Sequence, residues 1–206
     1  MKTLKPRPLT AAIAAAMLVG MIATLPAALA KDDDHKGHGT SAKLSGFNEV
    51  HFSGGGGIAL PIPAATLRGA VSTKAKGSFK AKIDDVLRVI NYELTYQDLE
   101  GTVTQAHIHF GQRHTVGGIT VWLCQTAGTP APAAVVTATP FCPASGTVVG
   151  TIMPGQVLAV AGQGIDAGEF DELLRAIRAG ATYTNVHTTL FPPGEIRGQN
   201  KGHHDD

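Results

Sequence analysis

GSFKAKI, residues 77–83, alternates strictly: Phe79, Ala81 and Ile83 point one way, Ser78, Lys80 and Lys82 the other. Successive side chains of a strand leave opposite faces, so this stretch buries one side and wets the other. The next run, VINYELTY (residues 89–96), repeats the pattern with Ile90, Tyr92, Leu94 and Tyr96 on one side. GITVWLC (118–124) places Ile119, Val121 and Leu123 together, and ATYTNVHT and GEIRGQ read as further short strands. Gly and Pro clusters break these runs at short intervals. Short alternating strands spaced by turn signals predict an all-β antiparallel sandwich or barrel, Ig-like or superoxide-dismutase-like. One segment departs from period two. In IDAGEFDELLRAIRAGATY, Phe170, Leu173, Leu174 and Ile177 fall at helical spacing, with Asp166 as N-cap, late arginines and Gly180 as the stop. One amphipathic helix over about residues 166–180 is expected to pack on the sheet.

The chain has 206 residues and a formal net charge of +1. No whole-chain field draws it to nucleic acid or acidic lipid. Residues 1–30 have a basic head, an Ala-rich apolar run and a small-x-small end at Ala28-Leu29-Ala30, the layout of a cleaved signal peptide. Cleavage there would leave no transmembrane span and send the protein to an extracytoplasmic space, periplasmic or external. Residues 31–42 read as a disordered acidic linker, 43–200 as one domain, and 201–206 as a flexible tail. Cys124 and Cys142 are the only cysteines and, in an oxidising compartment, are expected to pair across the Pro/Ala-rich loop between them.

In AHIHFG (106–111), alternation turns Ala106, Ile108 and Phe110 to the core and sends Val103, Gln105, His107 and His109 to the wetter face. Residues i and i+2 of a strand lie about 7 Å apart, close enough for two imidazoles to converge on one ion. Tyr183, Asn185 and His187 share a face of a later strand, and Glu195, Arg197 and Gln199 a face of the next. If these strands adjoin, His107, His109 and His187 form a candidate site for copper or zinc. Asn185 or Glu195 would then fix an imidazole tautomer from outside. Copper–zinc superoxide dismutase carries a similar His-x-His on a β-sandwich, a likeness of local pattern alone. The competing reading is a polar network that rigidifies the sheet, and the pattern leaves both open. Trp122 either covers this region or packs under the helix. No G-x-S-x-G is present, and nothing shows Glu49 and Glu195 facing each other as an acid/base pair, so no catalytic residue is assigned. Redox or hydrolytic chemistry at such a metal is a further reading; it needs an open coordination position.

AHIHFGQRHTVGGITVWLC (106–124) resembles the AHIH-x-G segment of the CHRD domain, the domain repeated in chordin. YTNVHTTLFPPGEIRGQ (183–199) resembles the ending of the same domain, and LSGFNEV (44–50) its opening. The motifs stand in the family's order. The chain departs at Val50-His51-Phe52-Ser53, where the family usually has Val-Pro-Pro. The resemblance implies an extracytoplasmic β-rich domain; the expected role is binding or structural, with an unknown protein or metal as partner. It implies no defined activity. It also puts the histidines, Glu49, Asn185, Glu195 and Arg197 inside signature motifs.

Overall fold

The computed structural model describes residues 38–52 and 68–203. The expected signal peptide, most of the acidic lead-in and the Gly-rich run at 53–57 lie outside the described residues. In chain order the strands are β1 (Gly39–Ser45), β2 (His51–Phe52), β3 (Arg68–Gly69), β4 (Lys76–Asp84), β5 (Val89–Gln97) and β6 (Val103–Phe110). Then come β7 (Gly118–Cys124), β8 (Gly146–Ile152), helix α1 (Phe170–Arg178), β9 (Thr182–Thr188), β10 (Ile196–Gln199) and β11 (Lys201–His203). All strand pairings are antiparallel. One sheet runs β7-β6-β9-β10-β1-β4-β5-β8, with β11 also on β1; β2 and β3 form a separate ribbon. The large sheet curls until it is nearly closed. The Tyr92 hydroxyl on β5 donates to the carbonyl of Leu123 on β7 at 2.6 Å, a tie across the interior. Among the described residues, no helix is long and apolar enough to cross a membrane.

The interior is the one the alternation predicts. Phe79, Ala81 and Ile83 from β4 meet Ile90, Tyr92, Leu94 and Tyr96 from β5, all buried. Phe170, Leu173, Leu174 and Ile177 of α1 complete the same core. The helix begins four residues later than expected. Gly168 takes φ +83°, which interrupts any helical start at Asp166, and Glu169 stands at the N-cap. Outside the barrel Arg178 pairs with both oxygens of Asp85, at 2.7 and 2.8 Å.

The domain's edges also differ from expectation. Gly39–Ala42, read as linker, belong to β1 and pair with β4, and Lys201–His203, read as tail, pair back onto β1 as β11. Thr40 is buried and its hydroxyl donates to the carbonyl of Lys201. These segments are polar in sequence; backbone ladders hold them, and side-chain patterning does not report that. Bulges correct two more assignments. A shift between Val103 and Gln105 turns Val103 back into the core. Irregular register along β7 moves Ile119 off the face of Val121 and Leu123, into a second cluster with Trp122, Ala131 and Val135.

Candidate metal centre

Strands β6 and β9 are neighbours, with Gln105 opposite His187 and His107 opposite Asn185. Arg197 on β10 lies opposite Asn185. The three histidines therefore share one face, but it is not a wet one. His107 is fully buried, His109 7 % exposed and His187 6 % exposed. The sheet's outer face here is roofed. Trp122 sets its ring edge-on to His107 at 4.3 Å and is itself covered by Ala131 and Val135 of the disulfide-bounded loop. Tyr183 stacks flat on His109 at 4.7 Å, and the Arg197 guanidinium lies over the other side of that tyrosine. Arg197 also donates to the carbonyls of Thr115 and Gln112, which pins the loop after β6 over the site.

One candidate ligand nitrogen from each of the three histidines lies within 4.8 Å of the other two. On a tetrahedral ion with metal–nitrogen bonds of about 2.1 Å, ligand nitrogens stand about 3.4 Å apart, so the rings must draw together by up to about 1.4 Å to share one ion. Hydrogen-bond bookkeeping decides the tautomers. His109 Nδ1 faces the carbonyl of Gly117 at 2.9 Å and His187 Nδ1 that of Pro192 at 2.8 Å. A carbonyl only accepts, so both rings carry a proton on Nδ1, and His109 Nε2 is left bare. His107 Nδ1 lies 3.1 Å from His187 Nε2 and must donate to it, leaving His107 Nε2 bare as well. Neither His107 Nε2 nor His109 Nε2 has a hydrogen-bond partner. The Asn185 side-chain oxygen, another acceptor, sits 3.0 Å from His187 Nε2.

Lone pairs thus converge on one buried spot with a single proton among them. Protonating His107 or His109 would relieve part of the clash, but burial opposes it. It holds His109 down at about 4, and it pushes His107 well below the ordinary histidine value, with neighbouring rings adding to the effect. A metal cation would satisfy the same lone pairs without that proton. The donor set, three imidazoles with no thiolate or carboxylate, suits zinc or copper.

The other residues read from the sequence divide into two groups. Glu49 is buried beside the site and feels the charge of Arg197; burial lifts its carboxyl to about 7, and its Oε2 has no partner. Glu195 faces elsewhere. It accepts from the hydroxyls of Thr73 and Thr188 and from the backbone N–H groups of Glu100 and Gly101, so it organises a neighbouring loop. The Glu195 backbone N–H reaches the carbonyl of Val186, the residue Ile196 also opposes, and this doubling sends the carboxylate away from the histidines. Sequence reading missed the Gly117 and Pro192 carbonyls. Their only trace was a Gly or Pro turn eight and five residues beyond the histidine each one orients. Cys124 and Cys142 are joined in a disulfide.

No curated protein and no solved structure matches the chain. The family model of the CHRD domain matches residues 40–200, almost the span of the barrel from β1 to β10. The chain therefore belongs to the CHRD-domain family.

Proposed function

We propose that this protein is an extracytoplasmic metal-binding CHRD domain in which His107, His109 and His187 hold one copper or zinc ion. The observation that carries this is the clustering of one ring nitrogen from each of three buried histidines within 4.8 Å, with His107 Nε2 and His109 Nε2 left without a partner. CHRD domains are typically extracellular, and a disulfide fits an oxidising compartment. The ion would tie β6 to β9, two strands far apart in sequence, and supply a cation to the converging lone pairs.

The test is metal content after chelation, reloading with zinc or copper, and dialysis. Wild-type protein is expected to keep about one ion per chain, and His107→Ala/His109→Ala none. The tail histidines are the same in both, so ion held there cancels in the comparison. Trp122, the only tryptophan, adds an optical readout, since its ring lies 4.3 Å from that of His107. Copper at the centre is expected to quench its fluorescence. Equal metal content in wild type and double variant would sink the proposal.

The second reading is a metal-free polar network that stiffens the sheet. The hydrogen bond between His107 and His187 favours it. It predicts a wild-type protein that retains no ion and whose melting temperature is unmoved by zinc or copper.

A further inference from the structure

The metal reading leaves the coordination number open, and with it the choice between a closed centre and one that exposes the ion to a reactant. Asn185 bears on that choice. It is 2 % exposed and sits on β9 two residues before His187, on the same face. Its Oδ1 lies 3.0 Å from His187 Nε2, close to the 3.1 Å between that nitrogen and His107 Nδ1. The first is near the about 3.4 Å edge of a tetrahedral ligand set; the second is the proton-bearing contact described above. His187 thus has an acceptor oxygen at each ring nitrogen, the Pro192 carbonyl at Nδ1 and Asn185 Oδ1 at Nε2, whereas a neutral ring has one proton to give; a cation at Nε2 supplies the difference.

Glu49 borders the other end of the amide. Asn185 Nδ2 and Glu49 Oε2 crowd the same point, the place where Gly194 lacks a Cβ: a carbon there would stand 3.0 Å from the first and 2.5 Å from the second. Glu49 Oε2 is buried without a hydrogen-bond partner, so it borders the amide without bonding to it. The amide oxygen faces His187.

We infer, on the basis of the metal reading above, that Asn185 Oδ1 is the fourth ligand, backed by Glu49, and that the centre is coordinatively closed. Four protein donors are the pattern of structural sites, whereas hydrolytic sites keep a position for water. The ion then holds the fold or is stored in it, and does not activate water. Glu49 acts through Asn185 as a positioning residue, as outer carboxylates do at metal sites.

The experiment uses the full chain loaded with Co²⁺, whose visible spectrum reports coordination number and exchangeable positions, titrated with azide. Wild type is expected to show the intense bands of a four-coordinate ion, unchanged by azide. Asn185→Ala opens a position, so its spectrum should respond to azide and its Co²⁺ affinity fall about 10- to 100-fold. Asn185→Asp, which keeps an oxygen donor, should restore azide resistance. A wild-type spectrum that shifts with azide overturns the closed centre while leaving the three-histidine site standing. An Asn185→Ala protein with wild-type affinity and spectrum overturns it too. If that variant does not fold, the wild-type titration and Asn185→Asp still decide. A wild type that binds no metal would overturn the earlier reading and this one with it.

Discussion

Glu49 is the residue whose chemistry is most at odds with its surroundings. Its carboxyl is lifted from 4.5 to about 7, chiefly by burial, against the opposing pull of the Val50 N–H and of Arg197. A group whose folded value lies above its unfolded one contributes its full stability below the unfolded value, near 4.5, and loses it as pH rises through about 7. At pH 8 the cost of ionising this carboxyl in the apo protein is therefore about 3 kcal/mol, at 1.36 kcal/mol per unit. Glu49→Gln removes the cost and keeps an oxygen for the Val50 N–H. The metal-stripped variant should match wild type near pH 4.5 and exceed it by up to about 3 kcal/mol at pH 8, read from denaturant midpoints. Equal stabilities at pH 8 would show that the carboxylate is already compensated. The histidines run the other way. His109 is depressed to about 4, so its contribution is present above about 6.5 and is lost as pH falls toward 4.

At the level of elements, the site depends on the turn between β9 and β10. Gly194 there takes φ +134°, and the side chains of Glu49 and Asn185 both crowd the space a Cβ would fill. Gly194→Ala strains the backbone and pushes on both side chains. It should cost about 1–3 kcal/mol of stability and also weaken metal retention, measured by unfolding and by competition with a chelator. An unaltered metal affinity would show that the Glu49–Asn185 pair does not support the ion. How much of this was readable follows from the physics of each element. Period two announced β4 and β5 because each has one face in the core and one in water. The same rule aimed His107, His109, Asn185, His187 and Arg197 to one face, since β6, β9 and β10 keep register where those residues lie. It failed at Ile119, Val103 and Glu195, where extra residues in one strand reverse the alternation, a property of pairing that one strand's sequence does not carry. It also failed on exposure. β9 is buried on both faces, because loops distant in sequence roof the face that alternation alone would leave to solvent.

For the whole molecule, the roof matters as much as the sheet. The Cys124–Cys142 bridge spans 18 residues and closes the loop whose Ala131 and Val135 cover Trp122, which in turn covers His107. Gln125 is the loop's second fastening: its Nε2 donates to the carbonyls of Val136 and Thr139, and its Oε1 accepts from the Ala131 N–H. If the bridge acts mainly by limiting the unfolded chain, losing it costs about 3 kcal/mol for a loop of this length. In a domain of this size each kcal/mol moves the melting temperature by about 2–4 °C, so Cys124→Ser/Cys142→Ser should melt roughly 6–12 °C lower. Folded below that temperature, the variant should still carry its ion, because no cysteine belongs to the donor set and Gln125 keeps the loop in place. A normal melting temperature would mean that Gln125 alone secures the loop. Loss of the ion in a folded variant would mean instead that the roof over Trp122, and not only the three imidazoles, holds the metal.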